Sequence, residues 1–188
     1  MAAPLLLVLA RPLTLVLRTL PPSPLRRGLP AMAFCGPVRW MVFPPAAALL
    51  DFGGLWLLYR TGLFAAATER PLLHIAVHAH VLAAGLLFTF AVCQFDPVRH
   101  RHGLTLRGAT LLAGGTAHAA LAKSLYVSTP PGTAFGSADL HTGAQLMYYG
   151  GDLTELALAA AVAVQWYIST GRNYARHTAA APVLSAGR

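Results

Sequence analysis

The sequence predicts an all-α protein, a polytopic transmembrane bundle of about five membrane helices. The residue types AVILMFWYC make up 56% of the 188 residues and charged residues only 11%, whereas soluble domains carry about 25% charged residues. A helix needs about 20 apolar residues to cross a bilayer, and the apolar residues of this chain form runs of about that length. Because lipid cannot hydrogen-bond exposed backbone groups, and because the runs show no barrel-type alternation, they are predicted to be helices. This composition excludes a disordered chain, a secreted disulfide scaffold and an ordinary cytosolic enzyme.

Five apolar runs are the predicted spans, and together they form one domain over residues 1–170. The first is not typical of a signal peptide, because Arg11 and Arg18 lie inside its apolar run rather than before it. The predicted spans cover residues 2–20, 38–59, 71–93, 108–127 and 142–168.

The connections between the spans differ in positive charge. The formal net charge is +8, and the arginines concentrate in residues 21–40, 94–107 and the short basic tail 171–188, while residues 60–70 and 128–141 hold few. By the positive-inside rule, the arginine-rich segments face the cytoplasm. We therefore predict a multi-pass protein of the bacterial plasma membrane with a cytoplasmic C-terminus. The lipid bilayer, and not nucleic acid, is the partner that this charge indicates.

Metal-binding side chains within the spans gather, by this topology, in the outer half of the bilayer. His74 and His78 lie one helical turn apart on one face. His118 lies about 13 Å from the outer end of its span, at 1.5 Å per residue, while His141 and Met147 lie near the outer end of the last span. Imidazole and thioether ligands favour copper, and the sulfur favours Cu(I). The carboxylate of Asp51 lies at the same depth as His118, and packing between helices is the simpler role for it.

Other interpretations of these residues stay open. His78 and His118, on separate spans, also suit the axial positions of a b-type haem in an electron-transfer protein, and zinc accepts histidine and carboxylate ligands as well. In a purely structural membrane subunit, the histidines would only form hydrogen bonds between helices. The sequence contains no GxSxG, HExxH or P-loop motif, so no enzymatic activity is predicted.

Two segments resemble the CtaG-type family of multi-span cytochrome c oxidase assembly factors. HIAVHAHVLAAGLLF, residues 74–88, resembles the family's span with two histidines four residues apart, although Val77 stands before the second histidine where the family usually has an acidic residue. ADLHTGAQLMYYGGDL, residues 138–153, is similar to its loop-to-helix motif. The opening AAPLLLVLARPLTLVLR resembles a segment that follows an earlier histidine–methionine helix in the family. We therefore expect Met1 to be internal or the chain to be a shortened member.

The resemblance implies a non-enzymatic factor that assembles a haem–copper oxidase in the plasma membrane at the copper-insertion stage, with oxidase subunits as partners. Asp139 and His141 would lie at the mouth of a site that holds Cu(I) transiently. The predicted metal ligands are therefore His74, His78, His118, His141, Met147 and Asp139.

Overall fold

The structure, a computed structural model, describes residues 40–95 and 102–180, with side chains described through residue 172. These ranges contain five helices and no strand, which confirms the all-α prediction for this part of the chain. The helices are α1 (Pro44–Arg60), α2 (Leu63–Glu69), α3 (Pro71–Cys93), α4 (Leu104–Val127) and α5 (Ser137–Ala180). Residues 1–39, which include the predicted span 2–20, and residues 96–101 of the loop 94–107 lie outside the described residues.

Helix α3 covers the residues predicted from the sequence, 71–93. Pro71 occupies the first turn, where a missing backbone N–H costs nothing. At the other end Gln94 adopts the left-handed conformation, with φ 47°, and its N–H donates to the carbonyl of Phe90. Helix α1 begins at Pro44 rather than at the predicted residue 38, because a proline can start a helix but disrupts its interior.

The connection at residues 60–70, predicted to be a loop, contains the short helix α2. Its sequence LFAAATE is rich in alanine, which is the best helix former. The turn before it is fixed by Thr61, whose hydroxyl donates to the Leu57 carbonyl at 2.7 Å and accepts from the Leu63 N–H at 3.2 Å. Periodicity alone could not show this helix because it is only two turns long.

Helix α5 has 44 residues and is about 66 Å long at 1.5 Å per residue. It continues to Ala180, beyond residue 168 where the last span was predicted to end. Among the described residues, two helical segments are long and apolar enough to cross a membrane by length and composition alone, Pro71–Cys93 and Ser137–Arg172. The other spans stay predictions.

The helices pack around a core in which α1 contacts both α3 and α4. The ring of Phe52 meets that of Phe88 edge-on, with centroids 5.1 Å apart, and it occupies the space that a side chain at Gly114 would need. Trp56 adds a hydrogen bond from its indole N–H to the carbonyl of Ala117 at 3.1 Å. One aromatic contact and one indole hydrogen bond thereby fix α1 against its neighbours.

One end of this helix set is closed by aromatic contacts. The Tyr59 and Phe64 rings stack with centroids 5.3 Å apart, and Phe64 meets Phe135 edge-on at 6.1 Å. Arg60 donates to the Ser128 hydroxyl at 3.1 Å, joining the end of α1 to the end of α4. The start of α3, the end of α4 and the start of α5 therefore lie at the same end, which we call the aromatic end.

The opposite end is held by Arg107, a buried guanidinium on the first turn of α4. It donates to the carbonyl of Val92 and, at 2.8 Å, to the carbonyl of Cys93 and the side-chain oxygen of Gln165. The Gln165 amide also donates to the Cys93 carbonyl at 2.7 Å. These bonds satisfy carbonyls at the end of α3 that have no partner within the helix.

Candidate functional site

His74 and His78 form an exposed pair on the first turns of α3. Their ring centroids are 4.2 Å apart and their planes are inclined by 35°. The Nδ1 of His78 lies 2.9 Å from the backbone carbonyl of His74. Because a carbonyl can only accept, this contact places the proton of a neutral His78 on Nδ1 and leaves a lone pair on Nε2. A hydrogen bond of this kind on one ring nitrogen is what orients metal-binding histidines.

His118 lies in the opposite kind of surroundings, buried between α4 and α5. Its Nδ1 is 3.3 Å from Oε1 of Glu155, and only 3% of its side chain is exposed. Its ring fills the space that a side chain at Gly151 would occupy, and Glu155 likewise fills the space beside Gly115. Each charged or polar side chain thus enters a notch left by a glycine of the opposite helix, so the pair locks α4 to α5.

The remaining predicted ligands have separate surroundings. His141 stacks on Tyr126, with centroids 4.1 Å apart and planes inclined by 11°. Met147 is half-buried and packs against an apolar cluster of α1, α4 and α5. Asp139 is exposed in the first turn of α5, where a negative charge is favoured by the helix dipole.

The structure therefore brings together two of the six predicted ligands. His74 and His78 are neighbours, whereas His118, His141 and Met147 make their own contacts and Asp139 is exposed at the start of α5. Within residues 40–95 and 102–172, no three or more side chains of His, Cys, Asp and Glu are grouped so as to hold one metal ion.

Asp51, a carboxylate that the metal-site prediction left out, is a buried acidic residue. Asp51 on α1 is only 3% exposed, and among the described residues its Oδ1 has no hydrogen-bond partner. It lines a small cavity together with Glu155 of α5 and Thr89 of α3. The signal for this residue was present in the sequence, because an ionisable residue inside an apolar span marks a functional site by default.

Comparison with known proteins shows that the sequence matches one protein family. The model of a family described as cytochrome c oxidase caa3 assembly factor matches residues 1–169. No curated protein and no solved structure is significantly similar to the chain. The matched range includes the exposed histidine pair and the buried contact of His118 with Glu155.

Proposed function

The chain belongs to the family of cytochrome c oxidase caa3 assembly factors, and on that premise we propose that it is a membrane protein that hands copper to a haem–copper oxidase during assembly. Copper is its cargo, bound and then released. The protein itself performs no catalytic step. The oxidase subunit that receives the metal is the partner.

The observation that carries this proposal is the exposed pair of His74 and His78. Their rings lie 4.2 Å apart, and the Nε2 of His78 is available for a ligand because its Nδ1 faces a carbonyl. Imidazole is a good ligand for copper. Two imidazoles supply only two of the up to four donor atoms that Cu(I) accepts, so the ion can pass to a partner that offers more ligands.

The placement of the pair supports a membrane setting and an outward-facing site. Pro71–Cys93, the helix that carries both histidines, is one of the two helices in the described part of the chain that are long and apolar enough to span a bilayer. The pair lies near the aromatic end, whose connections are poor in arginine, and the positive-inside rule assigns such connections to the outside. Asp139 and His141 belong to the same end, at the start of α5. His118 and Met147 are engaged in packing contacts, so the proposal assigns copper first to His74 and His78.

Genetic complementation tests the proposal. Deletion of the gene should lower the activity of the haem–copper oxidase, and added copper should restore part of it. The wild-type gene should restore activity fully and the double variant His74→Ala/His78→Ala should not. His102→Ala is the matched control because His102 lies before α4, at the opposite end from the pair, with its ring against Phe43.

Three results would contradict the proposal. Unchanged oxidase activity in the deletion strain would show that the protein is not needed for assembly of the oxidase. Full oxidase activity with the double variant, in a strain that needs the gene, would show that the histidine pair is not required for assembly. A Soret band in the purified protein, lost in His78→Ala, would replace copper by a b-type haem.

A further inference from the structure

A small cavity lies between α1, α3 and α5, away from the exposed histidine pair. Its polar lining comes from Asp51, Thr89, Thr154 and Glu155, and the rings of Phe52 and Phe88 form part of its apolar wall. The space accommodates about one water-sized ligand. All four of these side chains carry oxygen atoms.

The buried carboxylate of Asp51 is the first sign that the cavity binds something. Within the described part of the chain its Oδ1 has no hydrogen-bond partner, and the residue is 3% exposed. Leaving such a group unsatisfied costs about 1–3 kcal/mol, and more when it is charged. A positive charge in the cavity would remove this cost.

The two threonines are oriented to accept and not to donate. The hydroxyl of Thr89 donates to the Gly85 carbonyl at 2.7 Å, and that of Thr154 donates to the Gly150 carbonyl at 2.9 Å. A hydroxyl has one proton and two lone pairs, so each threonine has used its only proton within its own helix. What it can still offer to the cavity is a lone pair, which is a ligand for a cation.

We propose that this cavity is a binding site for a small hard cation, of the sodium or calcium type, with the carboxylates of Asp51 and Glu155 as its charged ligands and the hydroxyl oxygens of Thr89 and Thr154 as its neutral ones. Hard cations take carboxylate, carbonyl and hydroxyl oxygens, whereas copper and zinc favour nitrogen and sulfur. His118 contacts Glu155 beside this site at 3.3 Å. The site is independent of copper handling.

The experiment measures the unfolding temperature of the purified full-length protein in detergent while one salt is titrated at constant ionic strength. Sodium, calcium and choline chlorides are compared, because choline is too large for a water-sized cavity. A ligand that binds the folded state raises the unfolding temperature progressively with its concentration. We expect this rise with sodium or with calcium, and the salt that produces it identifies the cation. A rise that is equal in choline, or absent in all three salts, would overturn the proposal.

Two pairs of variants locate the response. Asp51→Asn keeps the shape but removes the charge, and its matched control is Asp152→Asn, which removes a charge from α5 outside the cavity lining. We expect the apparent affinity to fall on the order of tenfold or more in Asp51→Asn, because cation affinity depends steeply on ligand charge, and to be unchanged in Asp152→Asn. Equal loss in both variants would contradict the assignment.

The threonine pair is the second test and does not depend on the folding of the Asp51 variant. Thr89→Ser keeps the oxygen and Thr89→Val keeps the shape without it. We expect the serine variant to bind the cation, detected by broadening of the sodium NMR signal or by retention of radioactive calcium, and the valine variant to bind it more weakly. Binding of equal strength in both would contradict the proposal.

Discussion

The exposed pair of His74 and His78 and the buried His118 lie in similar apolar sequence but in opposite surroundings. The pair stands on the outer face of α3, with its rings beside each other. His118 fills the notch at Gly151 and contacts Glu155. The difference comes from the opposing helix, which offers a glycine and a carboxylate to His118. A histidine in an apolar run is therefore assigned a role only when its neighbours in other helices are known.

The largest effect expected from this comparison is that of closing the notch that receives His118. In Gly151→Ala the new methyl group would overlap the imidazole of His118, and overpacking of this kind costs about 3 kcal/mol. Gly150→Ala is the matched control, because a side chain there meets nothing within 4 Å and alanine favours the helix by up to about 1 kcal/mol. The free energy of unfolding, measured by denaturant titration in micelles, should fall only in the first variant. Equal stability of the two variants would show that α4 and α5 do not approach each other at this point.

The second effect separates the two kinds of histidine directly. His118→Ala leaves a cavity beside Gly151 and removes the partner of Glu155, and we expect a loss of about 2 kcal/mol in the free energy of unfolding. His78→Ala removes an exposed side chain and should change this free energy by about 0.5 kcal/mol or less. Thermal unfolding of both variants in the same detergent gives the comparison. A His78→Ala protein that is as unstable as His118→Ala would mean that the pair packs against the rest of the molecule.

The smallest effect concerns Met147, a predicted copper ligand that packs against the apolar cluster of Leu55, Leu121, Leu125 and Ala144. Met147→Leu keeps the apolar volume, so its stability should change by less than about 1.5 kcal/mol. Because the thioether is engaged in packing, we expect copper affinity to be unchanged as well. Copper affinity is measured by competition with a coloured Cu(I) chelator. A clear loss of affinity would place the sulfur in the copper site and reopen the larger ligand set.

Much of the fold could be predicted from the sequence, since apolar runs bounded by proline or by polar residues mark helices. For α3 the residues from Pro71 to Cys93 form one apolar run, and the helix has the same ends. The short helix α2 was missed because two turns show no periodicity. The end of α5 differs because residues 169–180 lose their apolar character but contain no proline to stop the helix.

The candidate site was predictable only where it depends on local spacing. The closeness of His74 to His78 follows from their separation of four residues on one helix. The contact of His118 with Glu155, and the cavity beside Asp51, depend on how α1, α3, α4 and α5 approach one another. That approach is set by glycines such as Gly115 and Gly151, whose facing partners cannot be seen in the order of the residues. The sequence shows that Asp51 and Glu155 are charged residues within apolar runs, but it does not show which side chains they contact.

The most direct test of copper handling is a Cu(I) titration of the purified protein against a coloured chelator under anaerobic conditions. The wild-type protein, the double variant His74→Ala/His78→Ala and the control Met147→Leu are compared. The account predicts that wild type and Met147→Leu remove about one copper ion per chain from the chelator, and that the folded double variant removes none. Equal copper binding by the double variant and the wild type would contradict the assignment of copper to the exposed pair.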